Sequence, residues 1–101
     1  MDRLISDNID KIRTLCVMYN VRSLFAFGSV CTGNFNEKSD VDLLISFKPM
    51  AYGDYADTYF VLADMFESLF HKHVDLVTDK SLSNPYFIES INKTKILLYN
   101  E

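Results

Sequence analysis

The sequence predicts a single domain of mixed α/β class, in which a small mixed β-sheet is flanked by helices. Apolar residues recur at helical spacing over residues 2–19 and about 54–70, whereas over 40–47 and 73–78 they alternate as in half-buried strands. The 101 residues suffice for one hydrophobic core but not two, so we expect one domain over residues 1–101. The predicted order is α-β-α-β-α-β-α, and a short strand can follow.

The composition is that of an ordinary globular protein, with 49% apolar and 24% charged residues. The net charge is −4 and no basic run is present, which argues against a nucleic-acid partner. No stretch approaches the roughly 20 apolar residues of a membrane span, and the first residues do not resemble a signal peptide. Cys16 and Cys31 have neither metal-site spacing nor the number needed for a disulfide framework. We therefore expect a reduced, cytoplasmic protein.

The first half of the chain is predicted to form a helix, a strand and a helical turn. Residues 2–19 place one apolar stripe on a helix, formed by Ile5, Ile9, Ile12, Cys16 and Tyr19. Residues 22–27 are apolar and aromatic toward their end, which suits a strand buried on both faces. Gly28 ends that strand, and a short helical turn beginning at Ser29 leads into a loop that ends at Ser39.

The next segment alternates with period two. Val41, Leu43, Ile45 and Phe47 share one face of a predicted strand over 40–47. The opposite face carries Asp40 and Asp42, so both aspartates share a face.

A long amphipathic helix over about 54–70 precedes the third strand, in which Asp75 points opposite to Val74 and Leu76. Asn84 and Pro85 resemble an N-cap with proline at the first helical position, and the helix they open carries Ile88 and Ile91 inward. Residues 95–99 can add the short final strand.

The polar residues indicate how the strands run. Gly28 and Ser29 end the first strand whereas Asp40 and Asp42 begin the second, so the two strands must be antiparallel if these motifs meet. Asp75 lies near the start of the third strand, which follows a crossover helix, so the second and third strands should be parallel with a right-handed connection.

These residue types suit phosphate and metal chemistry. A glycine followed by serine at the start of a helical turn offers backbone N–H groups and a hydroxyl to an anion. Asp40 and Asp42 would converge on hard cations, and Asp75 would add a third like charge that magnesium compensates. The structural alternatives are that Ser29 is only a helix N-cap and that Asp75 is a solvated charge on an edge strand.

Taken together, Gly28-Ser29, ten residues, Asp40-x-Asp42 and then Val74-Asp75-Leu76 resemble the minimal nucleotidyltransferase (MNT) family of the DNA polymerase β-like superfamily. The resemblance implies a nucleotidyltransferase fold, ATP as substrate and two Mg²⁺ ions. It also implies that Asp40, Asp42 and Asp75 are the catalytic metal ligands, with Asp75 helping to activate the acceptor hydroxyl. The residues it implies for nucleotide binding are Gly28, Ser29, Gly33 and Ser39.

The resemblance further implies a partner. Many such proteins are antitoxins that neutralise a helical HEPN-family toxin ribonuclease by transferring AMP to a tyrosine, and relatives pair with helical substrate-binding proteins. This sequence departs from the family after Gly-Ser, where Val30 and Thr32 replace two arginines. A catalytically weak antitoxin that acts by binding and occlusion is therefore the alternative hypothesis.

Chain length also favours a protein partner, because the predicted elements leave no separate domain to bind an acceptor. We expect another molecule to present the acceptor hydroxyl, in a homo- or hetero-oligomer. Tyr52, Tyr55 and Tyr59 lie near an exposed helix start and fit a protein–protein surface. The alternative is that these tyrosines only cover the core.

Overall fold

The computed structural model describes residues 1–101 and contains five α-helices and four β-strands. In chain order they are α1 (Arg3–Ser6), α2 (Ile9–Met18), β1 (Val21–Phe27), α3 (Ser29–Thr32), β2 (Val41–Phe47), α4 (Tyr52–Phe70), β3 (Val74–Thr78), α5 (Pro85–Thr94) and β4 (Ile96–Asn100). A short 3₁₀ turn over Asp79–Ser81 follows β3. The predicted α/β class and its element order are confirmed, with the short final strand present.

The sheet has the strand order β3-β2-β1-β4. β1 is antiparallel to both β2 and β4, and β2 is parallel to β3. These are the directions predicted from the positions of the glycine, serine and aspartate residues. β3 forms one edge of the sheet, so Asp75 lies on an edge strand.

The hydrophobic core lies on one face of the sheet, beneath α1, α2 and α4. β2 shows the expected alternation, since Val41, Leu43, Ile45 and Phe47 are buried while the residues between them are half-buried. The helices contribute Ile5, Ile12, Cys16, Leu62, Phe66 and Phe70 to the same cluster. Both cysteines are free, and burial raises the pKa of the Cys16 thiol to about 12, as expected for a core residue.

The opposite face of the sheet is covered only in part, so the prediction that the first strand is buried on both faces is wrong for most of its length. Arg22 is exposed and Phe25 is half-buried. Only at the end of β1 does α5 cover this face, where the rings of Phe27 and Phe87 meet edge to face with centroids 6.1 Å apart. The rest of the face is left open.

The predicted helix over residues 2–19 is divided into α1 and α2. The side-chain amide of Asn8 donates to the carbonyl of Leu4 at 2.8 Å, and the Asn8 backbone leaves the helical region at φ −109° and ψ 9°. Asparagine side chains compete in this way for backbone partners that would otherwise continue a helix. The apolar stripe survives the break, because Ile5 and Ile12 reach the same core.

The start of α5 is as predicted. The Asn84 side chain accepts hydrogen bonds from the backbone N–H groups of Tyr86 and Phe87, and Pro85 occupies the first helical position. Ile91 is buried, whereas Ile88 is only half-buried. None of the helices combines the length and the apolar character that crossing a bilayer requires.

Candidate active site

Three aspartates lie together on the open face of the sheet. Asp42 and Asp75 are register partners on the parallel strands β2 and β3, and each lies between buried neighbours that point into the core. Adjacent strands are about 4.8 Å apart, so the pairing places the two aspartates next to each other on one face of the sheet. Asp40 lies two residues before Asp42, immediately ahead of β2.

The antiparallel pairing of β1 with β2 brings Gly28 against the Asp42 side chain. Phe27 is the register partner of Asp42, and Gly28 follows it with φ +74° and ψ −148°. A Cβ atom at Gly28 would lie 2.6 Å from Oδ2 of Asp42. Glycine is therefore required twice here, for the backbone conformation and for the close approach of the carboxylate.

The charges of this cluster act most strongly on Asp42. Partial burial, followed by the nearby charges of Asp75 and Asp40, raises the pKa of the Asp42 carboxyl to about 6, and His73 opposes this rise. The charged form of Asp42 is therefore unfavourable, and a nearby cation would compensate its charge. The electrostatics therefore fit a bound divalent metal.

The carboxylates do not, however, form a ready-made metal centre. No three His, Cys, Asp or Glu side chains are grouped so that they could hold one metal ion. Asp40 and Asp75 are exposed at the surface whereas Asp42 is half-buried. A shared metal therefore requires the two exposed side chains to turn toward Asp42, and the ligand set stays a prediction.

The turn after β1 has the features expected of a phosphate loop, although α3 is only four residues long. The Ser29 hydroxyl has no hydrogen-bond partner within the chain, so it is available to a ligand. Gly33 ends α3 in the left-handed region at φ +81°. The Gly28 N–H donates to the Thr94 hydroxyl at 2.9 Å.

Thr94 was not identified from the sequence. It lies 66 residues after Gly28, at the end of α5, and no local pattern links the two residues.

The two positions that lack arginine differ in their surroundings. Val30 is fully buried in the core cluster, whereas Thr32 is exposed. Val30 therefore packs in the hydrophobic core, where the charge of an arginine would be buried. Only position 32 could carry a cation without burying it.

The loop from Asn34 to Ser39 connects the phosphate loop to Asp40. The Ser39 hydroxyl accepts from the Asn36 N–H at 3.1 Å, and the Ser39 N–H donates to the Asn36 carbonyl at 3.0 Å. Ser39 thus closes this loop, and its role in nucleotide binding stays a prediction. The Lys72 ammonium donates to three carbonyls of the loop.

The sequence is similar to a known family and to curated proteins. Residues 10–101 match the family model described as polymerase β, nucleotidyltransferase. A Methanocaldococcus jannaschii protein provisionally named protein adenylyltransferase MJ1379 is 36% identical over 78 residues, which are 77% of this chain and 77% of that protein.

Solved structures agree on the fold. One described provisionally as a minimal nucleotidyltransferase has a TM-score of 0.69 and 28% identity, and the match covers 95% of both chains. A tri-AMPylated Shewanella oneidensis HEPN toxin in complex with its MNT antitoxin supplies another, with a TM-score of 0.65 and 19% identity over 95% of this chain and 72% of that chain. At that identity the second match shows a shared fold.

Proposed function

Because the chain belongs to the polymerase β nucleotidyltransferase family, we propose that it is an antitoxin that transfers AMP, or another nucleoside monophosphate, to a hydroxyl of a helical HEPN-type toxin. The single observation that carries this proposal is the register of β2 and β3, which pairs Asp42 with Asp75 beside the Gly28-Ser29 turn. The adenylyltransferase name of the M. jannaschii relative and the AMPylated toxin in the S. oneidensis complex support AMP and a protein acceptor.

The reaction is an in-line displacement at the α-phosphorus of ATP. The acceptor oxygen, from a tyrosine in our proposal, forms a bond to the α-phosphorus as the bond to the bridging oxygen breaks, and pyrophosphate leaves with the electron pair. The hydroxyl proton passes to Asp75. Ser29 and the backbone N–H groups that follow Gly28 bind the triphosphate, which the absence of a side chain at Gly28 lets approach, with Gly33 and Ser39 shaping the loop around it.

Asp40, Asp42 and Asp75 are the residues that would hold magnesium. Two Mg²⁺ ions, when bound, would neutralise the triphosphate and orient the reacting oxygens. The raised pKa of Asp42 supports this assignment, since the charge of a cation would offset the desolvation and the repulsion that cause it.

The exposed side of α4 is the surface that we assign to the toxin. Phe60 is 66% exposed and Tyr52 is 91% exposed, although both lie on a helix that packs against the core. The helix also carries four acidic residues and no Lys or Arg. The remaining acidic residues balance the ten Lys and Arg, so α4 accounts for the whole net charge of −4.

The chemistry of α4 fits a basic partner with an apolar patch. A toxin ribonuclease must attract a polyanionic substrate, so its RNA-binding side is expected to be basic. α4 packs against β3, and the Tyr59 hydroxyl donates to the Leu76 carbonyl one residue after Asp75. α4 lies on the core side of the sheet and the aspartates on the other side, so a protein docked on α4 has to extend past the edge strand β3 to present its hydroxyl to them.

The three tyrosines predicted to face a partner divide into two groups. Tyr52 is exposed, whereas Tyr55 packs edge to face against Phe47 with centroids 5.3 Å apart, and Tyr59 is half-buried. Tyr55 and Tyr59 thus cover the core, as in the alternative interpretation. Tyr52 and Phe60 are the residues left for the partner.

The test is the mass of the toxin, taken as the helical protein encoded by the adjacent reading frame, after incubation with this protein, ATP and Mg²⁺. We expect the mass of one or more AMP groups to be added, and Asp42→Asn to abolish the addition. Asp10→Asn, on the exposed side of α2, is the matched control and should leave it unchanged. An unmodified toxin at saturating ATP and Mg²⁺ would contradict the proposal.

Occlusion without catalysis is the second proposal, and it is favoured by the replacement of both family arginines at positions 30 and 32. It predicts that Asp40→Asn and Asp42→Asn still protect cells that express the toxin. Loss of protection in both variants, with folding intact, would refute it. Phe60→Glu should instead disrupt protection under either proposal, because it places a charge in the apolar part of the α4 surface.

A further inference from the structure

Lys72 lies in the turn between α4 and β3, and its ammonium group is directed at the loop that precedes Asp40. It donates to the carbonyls of Asn36, Glu37 and Ser39 at 3.3, 2.9 and 2.9 Å. The same group lies 4.9 Å from the centroid of the Phe35 ring. One side chain thus contacts nearly the whole loop.

These contacts exclude a direct role for Lys72 at the phosphates in this arrangement. A lysine ammonium has three protons, and three loop carbonyls lie within hydrogen-bond distance of the Lys72 nitrogen. Lys72 therefore does not replace the missing arginines as a free cation. Its charged group instead donates hydrogen bonds to the backbone carbonyls of the loop.

The loop has few other connections to the rest of the fold. Its remaining hydrogen bonds are internal, from Ser39 N–H to the Asn36 carbonyl, from Asn36 N–H to the Ser39 hydroxyl, and from Lys38 N–H to the Asn36 side chain. The next external bond joins Val41 N–H to the carbonyl of His73 at 3.0 Å. Without Lys72, the segment from Asn34 to Asp40 would be attached at its two ends and by the Phe35 side chain, which packs against the core.

The location of Lys72 links the two segments that carry aspartates. The Lys72 ammonium donates to the carbonyl of Ser39, the residue before Asp40. Lys72 also precedes Asp75 by three residues, because the turn leads directly into β3. The carbonyl of His73, the next residue, accepts from the Val41 N–H. Two adjacent residues of one turn therefore fix the distance between the Asp40 segment and the Asp75 segment.

We propose that Lys72 is a positioning residue that holds the 34–39 loop so that the Asp40 side chain stays within reach of Asp42 and Asp75. This inference rests on the proposed function, since it assigns Lys72 to the same metal and nucleotide site. It acts through the loop backbone and touches no substrate. Groups that orient metal ligands in this way typically change metal affinity by 10- to 100-fold when removed.

The first test uses the metal-free protein, so that it does not depend on the proposed function. In Lys72→Met, which keeps the apolar stem, we expect amide hydrogen exchange of residues 34–40 to accelerate about tenfold, as the loss of charged hydrogen bonds implies. Exchange in β1 and β2 should stay unchanged. Lys11→Met, an exposed lysine of α2 whose side chain makes no hydrogen bond or ion pair, is the matched control and should behave as wild type.

The second test measures the Mg²⁺ concentration that gives half of the thermal stabilisation by ATP. Lys72→Met should need roughly 10- to 100-fold more Mg²⁺, and Lys72→Arg, which keeps the charge, should lie between it and wild type. A wild type that does not respond to Mg²⁺ and ATP would count against the proposed function, while the exchange experiment would still decide the role of Lys72.

Three results would overturn the inference. Unchanged exchange over residues 34–40 in Lys72→Met would show that the loop does not depend on this lysine. Faster exchange throughout β1 and β2 would show a general structural role. A higher ATP requirement at saturating Mg²⁺, with the loop unaffected, would show direct phosphate binding.

Discussion

Replacing Asp42 with asparagine should stabilise the metal-free protein while abolishing nucleotide transfer. The pKa of this carboxyl rises from 3.8 to about 6, because it is partly buried and lies near Asp75 and Asp40. A shift of about 2 units corresponds to about 3 kcal/mol against the charged form. Partial exposure of Asp42 screens these charges, so we expect about 1 kcal/mol of added stability from Asp42→Asn.

The assay is thermal unfolding at pH 7 in the presence of a metal chelator. For a chain of this size, about 1 kcal/mol raises Tm by roughly 5 °C. Asp10→Asn, the same substitution on the exposed side of α2, should change the free energy of unfolding by less than about 0.5 kcal/mol. A Tm of Asp42→Asn below that of wild type would refute the claim that the Asp42 charge is held at a cost.

The pH dependence gives a second check on the same residue. Between pH 3.8 and about 6 the folded state holds a proton at Asp42 that the unfolded state has lost. The contribution of Asp42 to stability is therefore complete below about pH 4 and is lost as the pH rises to about 6. Asp42→Asn should lack this decline, and an identical pH profile in both proteins would contradict the assignment.

Three further substitutions test neighbouring parts of the site. Gly28→Ala should lower the free energy of unfolding by about 2 kcal/mol or more, because alanine is strained at a positive φ and its Cβ would meet the Asp42 carboxylate. An unchanged midpoint in chemical denaturation would contradict this. Thr32→Arg introduces an arginine at an exposed position where the family has one, and it should tighten MgATP binding about fivefold by calorimetry. Weaker binding would argue against a phosphate near this position. Tyr59→Phe removes the bond to Leu76 O and should cost about 1 kcal/mol in thermal unfolding, whereas unchanged stability would show that the bond contributes nothing.

The strand pattern could be predicted from the sequence because it depends on local alternation. Burial of Val41, Leu43 and Ile45 requires Asp42 to face the other way, and the order of Gly28 and Asp42 along their strands then requires an antiparallel pair. The same reasoning placed Asp75 beside Asp42. These conclusions need only the period of a strand and the direction of the connections.

The features that the sequence did not predict depend on contacts between distant residues or on competition within one helix. The helix break at Asn8 results from a side-chain amide that takes the Leu4 carbonyl, which apolar periodicity does not record. Thr94 and Lys72 act on backbone groups far away in the chain, namely Gly28 and residues 36–39. Neither carries a motif, so only the folded chain shows its partner.

The most direct test of the central claim is to follow the label of ATP to the toxin. With ATP labelled at the α-phosphorus, the account predicts label on the toxin, equimolar release of pyrophosphate, and loss of both in Asp42→Asn. Label that reaches the toxin from the γ-phosphorus instead, or no label on the toxin when the wild-type protein is saturated with MgATP, would contradict it.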